Sequence, residues 1–128
     1  MRLPAFALSL LVTAAGAADH DHGAASSGGQ VTLEGITIAV AVHGAITPGA
    51  EAHLDLVLSP ATAAPKALRV WIGPEQGRGV SKTRVGGRGP ARHAHVDVPK
   101  PLPAGAQLWI ELEPAAGSAT RAALPLPK

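Results

Sequence analysis

The sequence contains no cysteine and no tyrosine, and aromatic residues make up only 2% of it. Without cysteine the chain can form no disulfide, no thiolate metal site and no cysteine nucleophile. Its single phenylalanine is Phe6, so Trp71 and Trp109 are the only aromatic residues beyond the first few positions. A folded core must therefore be built from Val, Leu, Ile and Ala.

Charge of either sign is also scarce. The chain has 11 basic and 9 acidic residues, and this excess is too slight to indicate a nucleic-acid partner. One stretch, GRGVSKTRVGGRGPAR, contains no acidic residue, and it lacks the interleaved aromatics on which single strands stack. We therefore expect no nucleic acid, and either a solvated hairpin or contact with an anionic partner. The basic residues of this stretch are Arg78, Lys82, Arg84, Arg88 and Arg92.

The sequence has no apolar run long enough to span a bilayer as a resident helix. Residues 1–18, MRLPAFALSLLVTAAGAA, have the order of a secretory signal instead: a basic residue, a short apolar segment and small residues for cleavage. We predict a signal-peptide helix here. The mature protein is then periplasmic or secreted, with no integral membrane segment after cleavage.

The next segment, DHDHGAASSGG at residues 19–29, shows no apolar periodicity and is rich in Gly, Ser and Ala. Such a composition is typical of a flexible tether. We predict that the ordered domain spans residues 30–128.

From residue 30 onward apolar residues recur at every second position, which is typical of half-buried strands. In VTLEGITIAVAV the phase changes at Gly35, and this requires either a tight Glu34–Gly35 turn or a β-bulge. Seven or eight such strands, with turn signals between them, predict an all-β fold: one antiparallel immunoglobulin-like β-sandwich. The predicted core includes Leu54, Leu56, Val70, Ile72, Val96, Leu108 and Ile110.

The stretch ARHAHVDVP suggests a metal site. Alternation directs Ala94, Val96 and Val98 inward, so that His93, His95 and Asp97 share the outer face. The α-carbons of His93 and His95 are then about 6.5–7 Å apart, and their imidazoles can converge on one ion with a third ligand. That ligand would come from Asp97, from an outward group on an adjoining strand such as Glu111, or from the tether. The alternative is that these three residues only form the solvent-exposed face of an ordinary strand.

A second candidate lies just after the predicted cleavage. Cleavage after Ala17 leaves histidine at the third position of the new terminus, where a free amine, two amides and His20 form a square-planar nitrogen set for Cu(II) or Ni(II). Cleavage after Ala18 leaves His20 and His22 at positions two and four, a looser chelator. The alternative is a polar linker. We predict that the remaining histidines, His43 and His53, are surface residues rather than ligands.

Trp71 and Trp109 fall between core positions, on the outward phase of their strands. Three roles are open: they stack across strands, cover an open face, or flank a ligand site.

No catalytic arrangement is complete. HAHVDV resembles the H-x-H-x-D-H motif of metallo-β-lactamase-type hydrolases, but Val98 replaces the last histidine and the chain is about half as long as that fold requires. No serine lies in a nucleophile motif. We therefore expect no enzyme and no organic cofactor.

Two stretches, HGAASSGGQVTLEG and VPKPLPAGAQLWIELEPAAGSATRAALPL, resemble a loosely defined group of small periplasmic proteins associated with heavy-metal resistance loci. These have a signal peptide, a His-rich mature N-terminus and one immunoglobulin-like domain. The resemblance implies an accessory role in metal handling, most directly for His20 and His22. We expect a monomeric, non-enzymatic β-sandwich that binds copper, nickel or zinc weakly through these two histidines, with His93, His95 and Asp97 as further candidate ligands. The rival hypothesis is a module that docks to a periplasmic partner protein or an anionic surface through its outward Trp residues and the basic hairpin.

Overall fold

The computed structural model describes residues 25–127, and all regular structure in this range is β-strand. The predicted signal peptide, the tether residues 19–24 and both N-terminal histidines, His20 and His22, lie outside the described residues. Nothing within the described range forms an apolar helix that could cross a membrane. The eight strands are β1 Ala25–Leu33, β2 Ile36–His43, β3 Glu51–Ser59, β4 Ala67–Gly73, β5 Thr83–Arg84, β6 Ala91–Asp97, β7 Gln107–Glu113 and β8 Thr120–Leu124.

The strands form two antiparallel sheets of four strands each. The first sheet has the order β1-β2-β3-β6, and the second has the order β5-β4-β7-β8. Within this arrangement β3 pairs with β6, while β4, which follows β3, pairs with β7 in the other sheet. These crossed pairings match the B–E and C–F pairs of an immunoglobulin-like sandwich. The predicted fold class is confirmed.

A tight turn explains the change of phase at Gly35. Leu33 and Ile36 are paired directly, so the loop contains only Glu34 and Gly35. Both loop residues have positive φ, 51° and 74°, as a type I′ hairpin turn requires. Of the two alternatives, the turn is correct at this position.

The ordered domain begins earlier than predicted. The composition predicts that residues 25–29 belong to the tether, but β1 starts at Ala25, which pairs with His43. The register then shifts between Ser27 and Gly29, so Gly28 is the extra residue of a bulge. A Cβ at Gly28 would lie 3.3 Å from the Val40 carbonyl oxygen and 3.2 Å from a Val42 methyl carbon. Backbone hydrogen bonds to β2 hold this part of β1 in the sheet. Such pairing does not require apolar residues at alternate positions, so the sequence pattern gives no sign of a strand here.

The core lies between the inner faces of the two sheets. Every residue predicted to be buried is buried, and the cluster consists entirely of aliphatic side chains, as the lack of aromatics required. On β3 and β6 of the first sheet the buried positions alternate with outward ones, so the outer face of this sheet is free to carry polar groups. Alternation thus determines which side chains the first sheet presents to solvent.

The two tryptophans stack against each other on the outer face of the second sheet. Their ring centroids are 6.4 Å apart, with the planes inclined by 14°. Trp71 is nevertheless fully buried, because the loop after β4 covers it: its Nε1 donates to the Pro74 carbonyl over 2.8 Å, and Lys82 Nζ lies 4.4 Å from its ring centroid. Of the three open roles, stacking across the strands is the one observed, and its burial makes Trp71 inaccessible to the partner of the rival docking hypothesis. Its cover comes from a loop that periodicity does not reveal.

Removal of the covered indole should destabilise the domain strongly. We expect Trp71→Ala to lower the free energy of unfolding by about 3–5 kcal/mol, because it leaves a cavity beneath the loop and removes a hydrogen bond. Val57→Ala on β3, where the residue is 51% exposed, should change it by less than about 0.5 kcal/mol. Urea denaturation measures both, and equal losses would contradict the burial of Trp71.

Candidate metal centre

Three histidines form a row across adjacent strands of the first sheet. In the register of the sheet His43 on β2 is opposite His53 on β3, and His53 is opposite His95 on β6. Directly opposed residues on one face have Cβ atoms about 4.5–5.5 Å apart. Core residues such as Leu54 and Ala94 occupy the alternate positions, so the histidines point away from the core. We call His43, His53 and His95 the histidine row.

A carboxylate joins two members of the histidine row. Glu51 Oε1 lies 2.9 Å from His95 Nδ1 and 3.7 Å from His53 Nε2. The two imidazoles are stacked, with ring centroids 4.1 Å apart and planes inclined by 21°. One carboxylate oxygen thus faces a nitrogen of each ring. We call Glu51, His53 and His95 the ligand triad.

The spacing of the ligand triad suits a transition-metal ion. One ligand atom from each residue lies within 4.8 Å of the other two. Ligands bound about 2.1 Å from a tetrahedral ion are about 3.4 Å from one another, so small side-chain movements would close the triad around an ion. The side chains are 49%, 36% and 54% exposed in chain order, and an ion can reach them directly from solvent.

A second pair of polar residues adjoins the triad. His43 Nε2 and Asp55 Oδ2 are 2.6 Å apart, and Asp55 is opposite His93 in the register. All four histidines within residues 25–127 line one open cavity of about 300 Å³, together with Asp55. Its lining residues are His43, His53, Leu54, Asp55, His93 and His95.

The predicted strand residues are distributed unevenly around this cavity. His93 and His95 are both exposed on one face, as predicted, but only His95 belongs to the ligand triad. Asp97 is opposite Glu51 and lines a different cavity with residues 79–81 and Pro99, so the structure does not bring it to the histidines.

The suggested third ligand Glu111 was wrong. It lies on β7 in the other sheet, where its carboxylate contacts Arg69 and Lys82. The neighbour of β6 is β3, and the carboxylate near His95 therefore comes from Glu51.

Sequence reasoning missed Glu51 and treated His43 and His53 as surface residues alone. A signal was present: EAHLD on β3 and HAHVD on β6 both carry polar groups at alternate positions. Antiparallel pairing of the two segments places their central histidines, His53 and His95, directly opposite each other. Once the two segments are known to pair, their similar patterns indicate that their polar side chains lie on the same face of the sheet.

Comparison with protein-family models, with curated proteins and with solved structures finds no match to this chain. The chemistry of the site is therefore inferred from its geometry.

The ligand triad should contribute little to the stability of the fold. We expect His53→Ala and His95→Ala each to change the free energy of unfolding by less than about 1 kcal/mol in metal-free buffer, since exposed ion pairs are worth little. Urea denaturation checks this. A loss above about 2 kcal/mol would indicate that these histidines are structural.

Proposed function

We propose that the protein is an exported, non-enzymatic β-sandwich that binds a transition-metal ion weakly, as an accessory to periplasmic metal handling. The observation that carries this proposal is the ligand triad, in which two imidazoles and one carboxylate from two strands lie within 4.8 Å of one another. The order of the N-terminal residues supports export. The resemblance to small periplasmic proteins of heavy-metal resistance loci supports the physiological role.

The donor set indicates the class of metal. Imidazole nitrogen with carboxylate oxygen suits zinc, copper(II) and nickel(II), whereas calcium and magnesium prefer oxygen ligands alone. With no cysteine in the chain, soft thiolate chemistry is excluded. We propose copper, nickel or zinc as the ion.

Exposure of the triad explains why binding should be weak. The ligands stand in solvent and must exchange their contacts with water and with each other for contacts with the ion. Three protein ligands also leave a coordination position of a tetrahedral ion open. An open, exposed site suits a protein that receives an ion and passes it on.

The N-terminal histidines are close enough in sequence to complete the coordination. β1 begins at Ala25, opposite His43 at one end of the histidine row. His22 is three residues earlier, so its α-carbon can lie about 10 Å from that of Ala25. The distance from β1 to β3 is two strand spacings, also about 10 Å. We propose that His22 or His20 supplies the remaining ligand.

The rival function, docking to a partner protein through the tryptophans, loses one of its two aromatic anchors. Trp71 is fully buried beneath its loop, and Trp109 Nε1 is engaged with the Gly73 carbonyl over 3.2 Å. The metal-binding proposal therefore has the stronger support.

Metal titration tests the triad. Calorimetry of the mature protein with Zn(II), Cu(II) and Ni(II) should show one ion per chain for at least one of them. His53→Ala or His95→Ala should weaken that affinity at least tenfold, because removal of a ligand should cost at least as much as the 10–100-fold typical of outer-shell changes.

His93→Ala is the matched control, because His93 shares the strand and face of His95 but lies outside the triad. It should weaken binding less than about threefold. If His93→Ala is as damaging as His95→Ala while His53→Ala is neutral, the pair along β6 is the site and the triad is not.

Coupling tests the N-terminal ligands. If His20 and His22 share an ion with the triad, the combined variant His20→Ala/His22→Ala/His95→Ala should lose less affinity than the sum of the separate losses. Each set of substitutions should itself weaken binding. Strictly additive losses, or two ions bound independently, would assign the N-terminal histidines to a separate site.

A further inference from the structure

A cleft beside β5 concentrates positive charge. It has a volume of about 500 Å³ and is lined by four cationic side chains and a glycine-rich loop, residues 86–89, with no carboxylate among its lining residues. We call it the basic cleft. Its cationic side chains are Lys66, Arg84, Arg88 and Arg92.

Cationic side chains on and beside the second sheet form ion pairs with carboxylates, whereas most of those in the cleft do not. Arg69 contacts Glu111 and Glu113, Lys82 contacts Glu111, and Arg121 contacts Glu75. Lys66, at the margin of the cleft, also approaches a carboxylate, that of Glu113, over 3.5 Å. The pKa of Glu113 is lowered, first by its hydrogen bond from Arg69 and then by Lys66, as expected for a shared carboxylate.

The three arginines of the cleft have no such partner. Within residues 25–127, Arg84, Arg88 and Arg92 form no ion pair with a carboxylate. Three like charges around one depression repel one another, and a bound anion would relieve that repulsion. Guanidinium groups also match the geometry of phosphate oxygens, to which they donate paired hydrogen bonds.

The loop of the cleft adds backbone donors. Within the described chain, the N–H groups of Gly87, Arg88 and Gly89 donate to no acceptor. Gly87 and Gly89 have φ of 108° and 70°, and alternation of such glycines with an ordinary residue is typical of anion-binding loops. A Cβ at Gly87 would lie 3.0 Å from the Ala91 carbonyl oxygen, so this shape requires glycine.

The loop is held in place on both sides. Gly86 and His93 exchange backbone hydrogen bonds of 2.9 and 3.1 Å, and Leu58 N donates to the Pro90 carbonyl over 2.9 Å. Arg92 Nε donates to the Gly89 carbonyl over 2.7 Å, which fixes one guanidinium against the loop. The free donors are therefore presented by an anchored segment.

We propose that the basic cleft binds a soluble ligand that carries two or more phosphate groups. The three guanidiniums without a carboxylate partner and the free N–H groups of the loop supply donors for several oxygens. The volume lies in the range of small-molecule sites and exceeds what a single phosphate ion fills. This proposal does not depend on the metal centre, which uses the outer face of the first sheet.

Titration of the mature protein with tripolyphosphate in metal-free buffer at low ionic strength tests the cleft. We expect saturable binding, and at least a tenfold loss of affinity in Arg84→Gln/Arg88→Gln. The matched control is Arg78→Gln/Lys100→Gln, which removes the same charge from exposed residues that do not line the cleft. It should weaken binding less than threefold. Thermal unfolding of both variants confirms that each is folded.

Two outcomes overturn the proposal, and a test with vesicles shows what the first of them means. Failure of tripolyphosphate to bind excludes the site, and equal losses in the two double variants reduce it to an effect of net charge. Binding to phosphatidylglycerol vesicles without binding to tripolyphosphate indicates a lipid-facing surface instead.

Discussion

The antiparallel register between β3 and β6 is the constraint on which the rest of the molecule depends. On the inner side it places Leu54 beside Ala94 within the core, and on the outer side it places His53 beside His95. A slip of one residue in either strand would turn its core positions to solvent and its histidine into the core. Aliphatic packing between the sheets therefore fixes the ligand triad, although we expect the triad itself to contribute little to stability.

The separation between an aliphatic core that stabilises the fold and an outer face that carries the ligand triad follows from the composition. A domain without cysteine, with two tryptophans beyond its first residues, must devote one face of each sheet to aliphatic packing. The first sheet is left with an outer face that carries exposed histidines and carboxylates, and a ligand site there disturbs no core residue. The second sheet covers its own outer face with the stacked tryptophans and the loop above Trp71. The two sheets share a core but differ in what they present to solvent.

Much of the fold could be predicted from the sequence, whereas most of the site could not. Alternation with period two is a local property, and it correctly indicated the strands and the buried set, whereas at Gly35 it left a tight turn and a β-bulge both open. Pairing is not local: about forty residues separate His53 from His95, and nothing in either segment states that they are neighbours. For the same reason the sequence pattern offers Glu111, which lies in the other sheet, as a possible third ligand and does not point to Glu51. Two other errors, the start of β1 and the burial of Trp71, arose where backbone pairing or a covering loop acts without apolar periodicity.

Crystals of residues 19–128 soaked in a zinc salt, with diffraction data collected at the zinc absorption edge, address the central claim most directly. We expect one anomalous peak on the outer face of the first sheet, about 2.0–2.1 Å from a ring nitrogen of His53 and of His95 and in contact with the Glu51 carboxylate. A peak held only by His93 and Asp97, or an empty triad in crystals that bind zinc elsewhere, would contradict the assignment of the metal centre.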